Sequence, residues 1–172
     1  MTPVRGVITT LGLAFIFLLQ EAGISKIHLP FSGFSLYLSV LVALVTLEDV
    51  GGAITIGFIG GFILDLSPSS TSPFGQWALI ITAVSYLLAI NKDLLVSFES
   101  RPGVAIVILA LAIMLILGLY VLISAILGES VGSLSFIVKT ILANGLWTAL
   151  IAPFIIPGVS KIRQITVNVL EN

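Results

Sequence analysis

Gly103-Val-Ala-Ile-Val-Ile-Leu-Ala-Leu-Ala-Ile-Met-Leu-Ile-Leu-Gly-Leu-Tyr-Val-Leu-Ile-Ser-Ala-Ile-Leu127 is a run of 25 residues without Asp, Glu, Lys or Arg. A helix of that length can cross a hydrocarbon core about 30 Å thick with some tilt. The rest of the chain has the same character. Of its 172 residues 58% are hydrophobic and 9% charged, with a mean hydropathy of +1.25. A soluble domain carries about 45–50% apolar and about 25% charged residues. So little charge cannot cover a water-facing surface, so lipid is the expected solvent. A soluble enzyme, a nucleic-acid module and a disordered tail are thereby excluded. Seven Lys and Arg against eight Asp and Glu give a net charge of −1, so no basic field exists for nucleic acid. The absence of Cys removes disulfides, thiol nucleophiles and thiolate metal sites. One domain over residues 1–172 is expected.

Charge-free intervals predict six helices: Val4–Leu19, Phe34–Leu47, Val50–Leu64, Phe74–Ile90, Gly103–Leu127 and Leu134–Ile156. The expected fold is an all-α integral membrane protein, a compact bundle of six transmembrane helices. The second and third helices are short for a full crossing. Merging them would put Glu48 and Asp49 at the bilayer centre, where each would cost several kcal/mol. A tight turn at the membrane surface, with both carboxylates in water, is expected instead. The first segment has the charge and apolar run of a signal peptide. No small-x-small cleavage site follows at Gln20–Ser25, so an uncleaved helix is expected. Pro153 and Pro157 are expected to kink or end the sixth helix.

Six crossings put both termini on one side. That side collects Arg5, Lys92, Arg101, Lys161 and Arg163, and the other keeps Lys26. The positive-inside rule makes the richer side cytoplasmic. The outer connections are then Glu21–Gly33, an interfacial loop, the Ser67–Pro73 turn rich in Ser and Pro, and Gly128–Ser133.

Catalytic chemistry finds little to build on. The single His, His28, falls in an outer loop and reads as an interfacial residue rather than a base for a hydrolase. Glu48 and Asp49 have no His near them in sequence for a metal site. No Gly-rich loop with a following Lys-Ser/Thr cradles a nucleotide. No cofactor and no enzyme activity are expected.

The informative stretch is Gly51-Gly-Ala-Ile-Thr-Ile-Gly-Phe-Ile-Gly-Gly-Phe-Ile-Leu-Asp65. Ala53, Gly57, Gly61 and Asp65 recur every four residues, on one face of the third helix. Small residues at that spacing let another helix approach closely inside lipid. That helix is either another of this bundle or a partner's. Asp65 is either a solvated carboxylate ending the helix or an acid fixed inside the bundle. Lys139 lies five residues into the sixth helix, about 7–8 Å deep at 1.5 Å per residue. The two charges reach one depth once Lys139 extends toward the surface, so Asp65 and Lys139 are expected to pair; a lone snorkelling Lys139 is the alternative. Asn144 and Trp147 offer interhelical hydrogen bonds, and Trp77 and Tyr86 read as interface anchors.

The run Gly57–Leu66, followed by Phe74-Gly-Gln-Trp-Ala-Leu79, resembles the rod shape-determining protein MreD family. Gly57, Phe58, Gly61 and Asp65 match its Gly-Phe-x-x-Gly-Leu-x-x-Asp helix end, with Phe62 in place of the usual Leu. Gly75, Ala78 and Leu79 match its Leu-Gly-x-x-Ala-Leu helix start. About a fifth of the chain carries the motif; elsewhere the likeness is one of size and hydropathy. The resemblance implies a non-enzymatic subunit of the lateral wall-synthesis machinery in the bacterial cytoplasmic membrane. Its implied partners are membrane lipid, an MreC-like bitopic scaffold, the actin-like MreB, and a glycan polymerase with its transpeptidase. Ala53, Gly57, Gly61 and Gly75 become the helix-packing or partner contacts. The family is similar in fold to the substrate-binding subunits of energy-coupling factor transporters. The alternative reading is therefore a vitamin-capture subunit, with Tyr37, Asp65, Trp77, Lys139 and Asn144 available to line a cavity. The first helix lacks a clear run of Ala at four-residue spacing for docking such a transporter.

Overall fold

The computed structural model describes residues 3–23, 34–67, 72–91 and 102–171. Within them every regular element is a helix: α1 (Pro3–Ala22), α2 (Leu36–Thr46), α3 (Val50–Asp65), α4 (Gln76–Ile90), α5 (Pro102–Ile126) and α6 (Leu134–Glu171). Lys26 and His28, Lys92 and Arg101, and residues 68–71 of the Ser/Pro turn lie outside the described residues.

The core is built around α2. Its sequence, Leu36-Tyr-Leu-Ser-Val-Leu-Val-Ala-Leu-Val-Thr46, is apolar nearly all round, the pattern of a helix buried on every side. It packs against α1, α3, α4, α5 and α6, and Tyr37, Leu41 and Val45 are fully buried. Ser35 starts the helix, its hydroxyl accepting from the Leu38 N–H at 3.2 Å, and so satisfies one of the donors that a helix N-terminus leaves open. The few polar groups on α2 find partners within the chain. Ser39 Oγ donates to the Ser35 carbonyl at 2.9 Å and lies 3.3 Å from the Thr148 hydroxyl of α6. Tyr37 donates its phenol to the Gly60 carbonyl of α3 at 2.8 Å.

The outside is the reverse. Val4, Leu11, Phe15 and Leu18 on α1, Val107, Leu111 and Leu122 on α5, and Leu134, Leu146 and Phe154 on α6 are exposed. An apolar surface of this extent is what a lipid solvent accepts and water does not. The fold is that of a helical protein suited to a membrane. Three helical stretches are long and apolar enough to cross one: Val4–Ala22, Gly103–Ile126 and Leu134–Gln164. The other three, α2 with 11 residues, α3 with 16 and α4 with 15, rise only about 16–24 Å at 1.5 Å per residue.

Helix ends differ from the sequence expectation chiefly in α6. It continues unbroken through Pro153 and Pro157 to Glu171, 38 residues in all and about 57 Å at the standard rise. Each proline forfeits one backbone bond, yet in an apolar surrounding no alternative partner exists for the neighbouring groups, which keeps the helix intact. At α4 the helix begins at Gln76 rather than Phe74, because Gly75 has φ of 93°, a left-handed conformation outside the helical region.

Candidate functional site

The motif residues of α3 lie in a hairpin with α4, the most extensive helix pair of the structure. Ala53, Gly57 and Gly61 are buried, all on the inward face. A Cβ at Gly57 would strike the Ser85 side chain of α4. One at Gly61 would lie 2.6 Å from the Trp77 carbonyl oxygen and 2.8 Å from the Ala78 nitrogen. The two backbones touch there, and only a hydrogen fits between them. Gly60, one residue round, meets Leu41 of α2 in the same way. This small-residue face is occupied within the chain, not displayed to a partner.

Asp65 closes the hairpin. Its Oδ1 accepts from the Trp77 N–H at 3.0 Å and its Oδ2 from the Ala78 N–H at 2.9 Å. These are open donors of the α4 N-terminus, where a carboxylate also meets the positive end of the helix dipole. Gly75 enters by a different route from Gly57 and Gly61. An added Cβ there would have nothing within 4 Å, so its role is the positive φ that turns the chain into α4, not close packing. The motif's two halves therefore form one physical unit: glycines bring the helices together, and Asp65 caps the second helix from the end of the first.

Lys139 lies on an exposed face of α6, in a groove lined by Leu134, Val138, Leu142 and Leu146. The carboxylate expected to pair with it is engaged by α4, so the charge-swap experiment has a definite expected result. Asp65→Lys should lower the melting temperature of the detergent-extracted protein, by loss of a cap worth about 0.5–2 kcal/mol and by placing a cation against the helix dipole. Adding Lys139→Asp should not restore it; a restored melting temperature would show that the pair exists.

Asn144 and Trp77, also named from sequence, are engaged by their neighbours, whereas Tyr86 is exposed. Asn144 accepts from the Ser35 N–H at 3.2 Å and donates to the Thr140 carbonyl at 3.0 Å. Trp77 stacks on Tyr120 of α5, ring centroids 4.4 Å apart. Gln20 joins α1 to α2 at the same end, its Oε1 accepting from the Tyr37 N–H at 2.7 Å.

Glu48 corrects the sequence reading. Expected in water at a surface turn, it is only 3% exposed. Its Oε1 takes Arg5 of α1 and the Arg163 Nε of α6 at 3.2 Å. Two guanidiniums replace the water that the carboxylate would otherwise need. Asp49, beside it, remains exposed. The signal was present in the sequence: the side assignment puts Arg5, Glu48 and Arg163 at one end of the bundle, and only their convergence on one oxygen had no marker.

Among the described residues no group of three or more acidic, His or Cys side chains could hold a metal ion. Comparisons of the chain with protein-family models, curated proteins and solved structures found no match. The likeness carried by Gly57–Leu79 thus rests on those residues alone.

Proposed function

We propose that this chain is a non-enzymatic, multi-pass subunit of the bacterial cell-elongation complex, scaffolding lateral peptidoglycan synthesis through an MreC-like bitopic protein. In this reading all six helices cross the cytoplasmic membrane, the shorter ones with local thinning of the bilayer. The end of the bundle holding Arg5, Glu48 and Arg163 faces the cytoplasm, following the positive-inside rule.

One observation carries this reading over substrate capture. Of the side chains that could line a vitamin cavity, Tyr37, Asp65, Trp77 and Asn144 are engaged by Gly60, the α4 N-terminus, Tyr120 and Ser35 with Thr140. A capture site built from these residues needs them free to meet a ligand; these four instead tie helices together. A tightly bonded bundle with an apolar outside is suited to hold other membrane helices in place.

The experiment is purification of the tagged chain from its native membrane in mild detergent, with identification of bound proteins. A bitopic scaffold with the glycan polymerase and transpeptidase is the expected company. Recovery with a pair of ATPase subunits instead would overturn the scaffold reading in favour of transport.

A further inference from the structure

A second site is built at the end of the bundle opposite Glu48. There a cavity of about 430 Å³ is lined by Tyr120, Val121, Ser124, Glu129, Ser130 and Val131. Its size falls within the range of small-molecule sites, about 300–1,000 Å³. The loop that forms one wall is shaped by two glycines, Gly128 with φ of 80° and Gly132 with φ of 78°. Open space surrounds both, so conformation is what they supply. The Glu129 N–H turns back onto the Ser124 carbonyl at 3.0 Å, which holds Glu129, half-buried, over the end of α5. Trp77 backs the Tyr120 ring. Behind the wall, Gln76 donates its amide nitrogen to the Tyr120 carbonyl at 3.1 Å and to Ser124 Oγ at 3.0 Å. Because a carbonyl only accepts, the amide orientation is fixed. Its Oε1 is left buried with no hydrogen-bond partner in the structure.

The chemistry of this cavity is that of an acceptor: a carboxylate, two serine hydroxyls and a tyrosine. We infer that it binds an ammonium group, with Glu129 supplying the charge and Tyr120 an aromatic wall. The group can be carried by a soluble amine or by the headgroup of an aminophospholipid at the membrane surface. This inference is independent of the scaffold reading, and the residues that line the cavity lie outside the motif, whose Gln76 and Trp77 only back its wall.

The test uses the full chain in detergent with Trp147→Phe, which leaves Trp77 as the single fluorophore of its kind. Tetramethylammonium chloride and ethanolamine hydrochloride are titrated at constant ionic strength, with sodium chloride as control. Both should change Trp77 fluorescence saturably. Glu129→Gln should weaken the ethanolamine response about tenfold or more, as for a lost hydrogen bond to a charged group, and should weaken the tetramethylammonium response through the lost charge attraction alone. Glu129→Lys should abolish the response at unchanged melting temperature. Nanodiscs of phosphatidylethanolamine and of phosphatidylglycerol separate the sources. A response already saturated in the first and titratable in the second assigns the lipid headgroup, and equal titration in both assigns a soluble amine. No saturable response to either probe, or an equal response in Glu129→Gln, overturns the inference.

Discussion

Gly61→Ile should prevent the α3–α4 hairpin from closing and remove most of the extractable folded protein. The first atom of any side chain at this position would sit 2.6 Å from the Trp77 carbonyl oxygen and 2.8 Å from the Ala78 nitrogen. Those neighbours are backbone, so no rotamer change relieves the clash. Overpacking costs about 1–3 kcal/mol and occasionally more. Here the displaced backbone is also the pair of amides that Asp65 holds, so a cap worth about 1 kcal/mol goes with it. Several kcal/mol is a large share of a total stability of about 5–15 kcal/mol. Gly61→Ala should fail in the same direction, whereas Gly57→Ala meets a serine side chain and should lose less. Gly118 is the control. It lies in α5 with nothing within 4 Å of an added Cβ, so Gly118→Ala should be neutral or stabilise by about 0.5–1 kcal/mol. Yield and thermal unfolding in detergent measure all four. Wild-type behaviour of Gly61→Ile would show that α3 and α4 do not touch at this point.

Glu48→Ala is the second large effect. The carboxylate is 3% exposed and bonded to guanidiniums from α1 and α6. Removing one partner of a buried ion pair costs about 3–5 kcal/mol, because the charge left behind has neither water nor counter-ion. Both arginines retain some contact with the surface, their side chains being 17% and 37% exposed, which places the expected loss toward the lower figure. Arg163→Ala should lose less than Glu48→Ala, since Arg5 still neutralises the carboxylate. The order of the melting temperatures is the test. If Arg163→Ala proves the more damaging, the carboxylate is not the hub of the cluster.

The helices were legible because charge is so costly in lipid that its gaps mark them directly. The turn at Glu48–Asp49 follows from charge chemistry alone, whereas the sequence reading began the second helix at Phe34 and the structure begins α2 after the Ser35 cap. The end of α6 did not follow. Proline counts as a helix breaker on the evidence of soluble proteins, where water satisfies the freed groups, and α6 runs on past Pro153 and Pro157. The four-residue spacing of Ala53, Gly57 and Gly61 indicated a close helix contact, but spacing cannot say which helix fills it. Asp65 was read by depth, which brought Lys139 into view; its bonds go to amides of the next helix, 12 and 13 residues on. Backbone donors leave no trace in residue identity. The same applies in part to Gln20 and Gln76, polar residues within apolar runs that each bond one main-chain group and one serine hydroxyl.

The Glu48 cluster also sets an order of events during synthesis. Arg5 precedes Glu48 by 43 residues, so its guanidinium has already emerged when the carboxylate is made. Arg163 follows Glu48 by 115 residues, which at about 5–20 residues per second is a delay of roughly 6–23 seconds. Through that interval only Arg5 is available to neutralise Glu48, and α2 lacks the side that α6 covers. The last helix brings both the missing wall and the second cation. Closure of the bundle around α2 is thus tied to the synthesis of α6.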